Sequence, residues 1–185
     1  MDPAEIIRFV QQHIEPLPDV PPYGLRYRVS ATLVDGTALP CVVIESAERY
    51  VDLAIKRFED TRKSSDLYMG YRAIVASFVT QGNTVNDYDI RELAPSPFAI
   101  PLARIREIKG ETSMSWTAFT AAMSDGAEFR FGTTFLTEFF DMPPGYTATD
   151  IAKITPAVRG TRPAPGETYL REKPFFTCYI RGSTV

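Results

Sequence analysis

Glu138 and Asp141 form the carboxylate pair in this sequence that is best suited to acid–base chemistry. They flank Phe139 and Phe140, and burial beside aromatic rings raises the pKa of a carboxyl group so that it can act as a general acid. Two such carboxylates need no fixed spacing in the sequence, because the fold can bring them together from any two positions. We therefore take Glu138 and Asp141 as the candidate catalytic residues if the protein is an enzyme.

A second pair of carboxylates, Asp87 and Asp89, is the candidate for a metal site. The segment around them alternates like an edge strand, which would place both carboxylates on one face. Oxygen-rich clusters of this kind can bind a hard cation such as Ca²⁺ or Mg²⁺, but the ligand order and central glycine of an EF-hand loop are missing. Solvated charges that blunt an edge strand explain the same residues. We expect no cofactor and no bound metal.

The other reactive side chains form no recognisable catalytic set. His13 is the only histidine, and it borders the apolar face of a short terminal helix. Cys41 and Cys178 lie among apolar neighbours and have neither CxxC nor Cys/His zinc spacing. The sequence also lacks the GxSxG, Walker A and GxGxxG patterns. These observations favour a protein that is not an enzyme.

The aromatic stretch over residues 116–146 is the candidate binding region. It holds the only tryptophan and six of the twelve phenylalanines. Aromatic side chains bury about 150–250 Å² each, so most of this stretch is expected in a core. Residues 143–146 read PPGY, which matches a WW-domain ligand but also suits a type II turn, and we adopt the turn. The binding candidates are Trp116, Phe139, Phe140 and Tyr146.

The order of the helix and strand patterns that must position these residues predicts an α+β fold. Hairpins that follow one another favour an antiparallel, strand-rich core of about seven to nine strands over a regular α/β alternation. The Asp-Gly pairs at 35–36 and 125–126 each indicate a tight β-hairpin. The expected elements are a capped N-terminal helix, strands at 25–34 and 38–45, a packed helix at 46–59, strands at 67–80, 84–93 and 98–108, the hairpin around 125–126, a short helix at 134–141, and a final strand at 174–180.

The two Asp-Gly hairpins also suggest an internal repeat. Segments 33–44 and 123–135 are similar, and each is followed by an Ile-rich segment, 101–108 and 147–154 respectively. One interpretation is a duplicated unit that forms two small-barrel-like halves. The other is coincidence, because Asp-Gly hairpins are common and the spacings differ.

For domain organisation we expect a single domain over 1–185. Its parts are an N-terminal helix and Pro-rich linker at 1–22, a strand-rich core at 23–156, and a Pro/Gly/Arg-rich tail with a final docked strand at 157–185.

Composition and charge narrow the classes of function. Hydrophobic residues make up 44% and charged residues 23% of the chain, which is typical of a globular protein. The net charge is −3, and residues 151–185 carry six basic and two acidic residues. These basic residues are spread out and do not form the clustered patch of a nucleic-acid site. No signal-peptide pattern or run of about 18 apolar residues occurs, so we expect a cytoplasmic protein without membrane contact.

These observations favour a non-catalytic protein-binding or adaptor module that uses a surface for a protein partner or for self-association, including a homodimer. The alternative is a small enzyme or ligand-binding domain with Glu138/Asp141 or Asp87/Asp89 in an aromatic-lined pocket. The two differ in what they require. A binding module needs an exposed aromatic or charged patch, whereas an enzyme needs carboxylates that converge in a concave site.

Overall fold

The computed structural model describes residues 1–19, 24–48, 51–52, 55–56, 59, 83–134, 138–160 and 164–181. By its internal contacts the chain, which the sequence predicts as one domain, groups into two compact units. Unit 1 consists of Met1–Ala94 and Phe176–Val185, and unit 2 consists of Pro95–Phe175. Each unit contains one four-stranded sheet, so the final strand of the chain belongs to the first unit.

Helix α1 (Pro3–His13) begins at the predicted capping box. The Asp2 carboxylate accepts a hydrogen bond from the Glu5 backbone N–H at 2.8 Å, and the Glu5 carboxylate accepts from the Asp2 N–H at 2.9 Å. Ile6 and Val10 lie one turn apart and are both fully buried. The caps satisfy two of the free N–H groups at the helix start, and the buried pair anchors the helix in the core of unit 1.

The strands of the described residues confirm the α+β fold. Unit 1 has the strand order β3-β1-β2-β8 and unit 2 the order β6-β4-β5-β7. Both sheets are mixed and not wholly antiparallel, because β8 joins β2 in parallel and β7 joins β5 in parallel. The strands are β1 (Tyr27–Leu33), β2 (Ala38–Ser46), β3 (Ile90–Pro95), β4 (Thr117–Met123), β5 (Glu128–Thr133), β6 (Ile151–Pro156), β7 (Leu170–Arg171) and β8 (Phe176–Ile180).

The two predicted hairpins have the same turn geometry. The Gly36 N–H donates to the Leu33 carbonyl, and the Gly126 N–H donates to the Met123 carbonyl, both at 3.0 Å. Both glycines have a φ of 89°, in the left-handed region that favours glycine. In each turn the aspartate side chain accepts a hydrogen bond from the backbone N–H two residues later, at 2.8 Å and 3.0 Å.

The third strand of each unit also starts in the same way. A one-turn 3₁₀ helix, Asp87–Asp89 in unit 1 and Ala148–Asp150 in unit 2, leads directly into β3 or β6. The backbone carbonyl of the last residue in each 3₁₀ turn accepts a hydrogen bond from the hairpin. In unit 1 the Val34 N–H donates to the Asp89 carbonyl at 2.9 Å, and in unit 2 the Ser124 N–H donates to the Asp150 carbonyl at 2.8 Å. The two units therefore repeat one backbone plan.

This repeat corrects the alignment expected from the sequence. The counterpart of 147–154 is 86–93 and not 101–108, because 86–93 and 147–154 each contain a 3₁₀ turn and the start of a third strand. Segment 101–108 instead forms a short helix, α2 (Leu102–Ile105). The strand expected over 98–108 was therefore wrong. Leu102 and Ile105 stand three residues apart, a spacing that suits one face of a helix.

Two further expectations differ from the structure. The edge strand expected over 84–93 was wrong in its first half, because residues 87–89 form the 3₁₀ turn and the strand begins at Ile90. In segment 134–141, residues 135–137 lie outside the described residues, while the described residues 134 and 138–141 are not helical. The strand expected over 67–80 also lies outside the described residues.

Each unit has its own hydrophobic core. The core of unit 1 is formed by α1 and its sheet, and the core of unit 2 contains three fully buried rings, Phe119, Phe131 and Phe140. The backbone is helical at every described residue between 47 and 59, as expected. Val51 and Ile55 in this helix are nevertheless 46% and 52% exposed, although the sequence places them on its apolar stripe. The described part of the chain contains no helix that is long and apolar enough to cross a membrane.

Candidate functional site

The 3₁₀ turn of unit 1 holds a tyrosine in an exposed position. The Asp89 carboxylate accepts a hydrogen bond from the Asn86 side-chain amide at 3.0 Å, and the Asp87 carboxylate accepts from the Tyr88 backbone N–H at 3.0 Å. The first bond joins the side chains at the two ends of the turn, and the second holds the Tyr88 backbone N–H. The Tyr88 side chain is 69% exposed, so this hydrogen-bonded turn presents a large aromatic ring to solvent.

Tyr88 stands at a cleft of about 630 Å³ within unit 1, which we call the Tyr88 cleft. Its volume falls in the range of roughly 300–1,000 Å³ that is usual for ligand sites. Four parts of unit 1 contribute to the cleft, namely the start of α1, the helical residues 47 and 51, the segment before the 3₁₀ turn, and the end of β8. The lining residues are Pro3, Ala47, Val51, Thr84, Val85, Asn86, Asp87, Tyr88, Tyr179 and Arg181.

Strand β8 positions the second tyrosine of the cleft. The Thr177 N–H donates to the Asn83 carbonyl and the Val85 N–H donates to the Thr177 carbonyl, both at 2.9 Å. Segment 83–85 is therefore fixed alongside β8. Cys178 and Ile180 of β8 belong to the core of unit 1. Because successive strand residues face opposite sides, Tyr179 faces away from that core and into the cleft.

The Tyr88 cleft carries two opposite charges. Asp87 and Arg181 both line it, and neither forms an ion pair with any residue that the structure describes. Asp87 also lies close enough to Cys178 to influence it. Burial, and to a smaller extent the negative charge of Asp87, raise the pKa of the Cys178 thiol to about 12. The thiol therefore stays protonated and is not a nucleophile at neutral pH.

The repeat shows which residues of this turn the fold requires. In unit 2 the turn is made by Thr147 to Asp150, and the Asp150 carboxylate accepts a hydrogen bond from the Thr147 hydroxyl at 2.9 Å, as Asp89 does from Asn86. The positions of Asp87 and Tyr88 are occupied by Ala148 and Thr149. Asp87 and Tyr88 are therefore not needed to form this turn.

Tyr88 is not among the site residues predicted from the sequence. Residues 84–93 have the pattern of an edge strand, in which only the aspartates suggest a site. An alignment of NDYDI at 86–90 with TATDI at 147–151 could have indicated Tyr88. The two segments share only the final Asp-Ile, so this similarity is weak.

The predicted acid–base pair is engaged in structural contacts. Glu138 is buried. The Asp141 carboxylate accepts a hydrogen bond from the Lys173 ammonium at 2.5 Å, and that ammonium lies 4.6 Å from the centre of the Phe98 ring. A catalytic role for the pair stays a prediction.

The predicted metal pair lies in the 3₁₀ turn of unit 1, and a metal-binding role for it stays a prediction. Asp87 points to the Tyr88 cleft, while the Asp89 carboxylate is bonded to Asn86. Among the described residues, no group of three or more His, Cys, Asp and Glu side chains is arranged to hold a metal ion.

The predicted binding aromatics lie in or against the core of unit 2. Phe139 and Phe140 are fully buried, and Trp116 is buried under the guanidinium of Arg171, 5.0 Å from the ring. The Tyr146 hydroxyl donates to the Asp125 carboxylate at 2.6 Å and so supports the hairpin turn. A binding role for these residues stays a prediction.

A second groove of about 640 Å³ in unit 1 lies between α1 and β3. It contains the only histidine, His13, whose ring packs against Phe9 at 4.9 Å. Its other exposed lining residues are mainly charged, including Glu5, Arg8 and Arg91. Charged side chains are usually exposed to water on a protein surface, so their presence in this groove does not indicate a ligand. The Tyr88 cleft is therefore the stronger candidate site.

The chain was compared with protein families, with curated proteins and with solved structures. No family model, no curated protein and no solved structure matches it. Function must therefore be inferred from the side chains and the geometry of the chain itself.

Proposed function

We propose that this protein is a non-catalytic protein-binding module, and that the Tyr88 cleft of unit 1 receives a segment of its partner. The observation that supports this most strongly is the 69% exposed ring of Tyr88, at a turn where unit 2 has a threonine and keeps the side-chain hydrogen bond between the residues at the two ends of the turn. Tyr88 shares its cleft with Val51, which is also exposed, and with Tyr179, and a contiguous apolar patch of this kind supports an interaction site.

The composition of the cleft suits a peptide or protein surface. Tyrosine is enriched at the centre of protein interfaces, because its large ring buries apolar area while its hydroxyl can still form a hydrogen bond. Val51, which is 46% exposed, and Tyr179 extend the apolar part of the cleft. A partner segment in the cleft would contact all three side chains and exclude water from them.

The enzyme alternative stays a prediction with less support. Of its four carboxylates, Asp141 is paired with Lys173, Asp89 is bonded to Asn86, and only Asp87 lines the cleft. A cytoplasmic location and the capacity to self-associate belong to the proposal, and a second copy of the chain would then be one partner.

The test is a selection of peptides from a random phage-displayed library on immobilised protein. The selected peptides are then measured against wild type, against D87A/Y88T and against T149A. The double variant carries the residues of the unit 2 turn, and T149A changes the matching exposed residue of unit 2. Because truncation of a central aromatic residue costs about 2 kcal/mol, we expect D87A/Y88T to bind roughly 30-fold more weakly. T149A should bind as wild type does.

Two results would contradict the proposal. The first is a set of selected peptides that bind D87A/Y88T as tightly as wild type. The second is a selection that yields no binding peptide although the immobilised protein is folded, as judged by circular dichroism and a cooperative thermal transition.

A further inference from the structure

The geometry points to an extended peptide segment with a cationic and an anionic side chain as the occupant of the Tyr88 cleft. The cation would pair with Asp87 and the anion with Arg181, while an apolar side chain between them would contact Tyr88 and Tyr179. This inference rests on the proposed function of the cleft and adds the chemistry of the partner.

The first support is that opposite charges in the cleft do not neutralise each other. Asp87 and Arg181 line the same cleft, yet neither forms an ion pair with any residue in the described ranges. One carboxylate oxygen of Asp87 accepts a hydrogen bond from the Tyr88 N–H, which leaves its other oxygen available. Arg181 is exposed, and its guanidinium can hold a carboxylate with two parallel hydrogen bonds.

The second support is the apolar surface of the same cleft. Tyr88, Tyr179, Val85, Val51 and Pro3 contribute to one lining. A ligand with charges alone would leave this surface in water, whereas a ligand with apolar side chains alone would desolvate Asp87 and Arg181 without a partner, which is unfavourable. An occupant with a charge of each sign and an apolar group satisfies both requirements.

The third support is the exposure of Tyr88, which favours a peptide over a small zwitterion. Most of this ring lies in solvent. A free amino acid that sits within the cleft would leave the ring exposed, whereas an extended segment can continue across it. Free zwitterionic amino acids carry the same pair of charges, so they form the second arm of the test.

The test uses capped synthetic peptides with one arginine, a central leucine and one glutamate, in both orders and at several spacings. Matched peptides carry glutamine in place of both charged residues, and free leucine serves as the small zwitterion. Affinity is measured by fluorescence anisotropy for the peptides and by calorimetry for leucine. We expect the best charged peptide to bind about tenfold or more tightly than its glutamine analogue, with a smaller difference at about 1 M salt, where the screening length falls to about 3 Å.

Variants of Arg181 provide the sharpest control. R181E should remove the advantage of the charged peptide, and replacement of the glutamate in that peptide by lysine should restore binding to R181E but not to wild type. R181Q should remove the advantage without this rescue. A rescue of this kind requires the two side chains to meet, since a general loss of structure would not be repaired by a change in the peptide.

Each other outcome overturns the inference in a distinct way. If the glutamine peptides bind as well as the charged ones and Y88T weakens both, the charge pairing is wrong while the proposed function stands. If free leucine binds as tightly as the best peptide, the occupant is a small zwitterion. If none of these synthetic peptides binds, the inference is wrong, and the selection from the random library decides separately whether the proposed function stands.

Discussion

Replacement of Gly132 by alanine is expected to destabilise unit 2 through a clash with the only tryptophan. A Cβ atom built at Gly132 would lie under 3.0 Å from the Trp116 ring atoms Cζ2 and Cη2, and 3.1 Å from Cε2. The ring cannot move away freely, because the Tyr169 ring lies 5.6 Å from it and the Arg171 guanidinium 5.0 Å. The backbone of β5 or the ring must therefore shift.

The expected cost of G132A follows from two opposing effects. Overpacking of a well-filled site costs about 1–3 kcal/mol. In a strand, alanine would otherwise be favoured over glycine by roughly 0.5–1 kcal/mol, because glycine loses more backbone entropy on folding. The net loss should be close to 1–2 kcal/mol, which corresponds to a fall in Tm of about 2–8 °C for a chain of this size.

The assay combines thermal unfolding with the intrinsic fluorescence of Trp116. Since this is the only tryptophan in the chain, its emission reports directly on the clash and on the unfolding of unit 2. In a W116L background the same G132A change should lose most of its cost or become stabilising. The reasoning is refuted if G132A unfolds at the temperature of wild type, or if its cost is the same with and without the Trp116 ring.

Three further predictions concern the turn, one carboxylate and one thiol. D87A/Y88T should change the free energy of unfolding by less than about 0.5 kcal/mol, because unit 2 forms the same turn with these residues, and a urea titration that shows a loss above about 1 kcal/mol would contradict this. The pKa of Glu172 is lowered to about 2, because burial, which raises it, is outweighed by hydrogen bonds from Arg171, its own backbone and Thr134. Its stabilising contribution should be complete above the ordinary carboxyl pKa of about 4.5 and be lost as the pH falls toward 2. Urea unfolding should therefore show up to about 3 kcal/mol of pH dependence in this range that E172Q lacks, and an equal dependence in E172Q would refute the assignment. Cys178, with its raised pKa, should react with a thiol reagent only after unfolding, and rapid labelling of the native protein would show that the thiol is accessible.

Local patterns in the sequence predicted the elements whose geometry depends on a few neighbouring residues. The capping box of α1 and the two Asp-Gly turns are of this kind, because each is closed by hydrogen bonds over two to four positions. Strand β2 also has a bulge at Pro40 and Cys41, which together face one residue of β1, and a residue without an N–H suits such a position.

Elements that depend on distant contacts could not be predicted in the same way. The sequence of 98–108 contains isoleucine at several positions and was interpreted as a strand, but Pro101 precedes a helical turn at Leu102–Ile105. The parallel addition of β7 to β5 and of β8 to β2 joins segments about 40 and 130 residues apart, and no local pattern encodes such pairings. The candidate site could not be predicted for a related reason. Tyr88 differs from its counterpart Thr149 only when the two turns are aligned by their matching hydrogen bonds, and the sequence does not show that alignment.

Differences between the repeated units can be divided into those that packing explains and those that it does not. By strand register Gly132 takes the place of Val43, because Gly132 faces Ala118 and Val43 faces Arg28 at matching points of the two hairpins. Packing explains this glycine, since the Trp116 ring fills the space of a Cβ at that position.

The difference at the 3₁₀ turns has no such explanation. In unit 2, Ala148 is fully buried and Thr149 is exposed, while in unit 1 the matching Asp87 lines a cleft and the matching Tyr88 stands in solvent. No described neighbour requires an aromatic ring there, and an exposed ring offers little to stability. This difference supports the proposal that the Tyr88 cleft contacts a partner, and it favours the turn of unit 1 over the aromatic core of unit 2 as the first place to test for one.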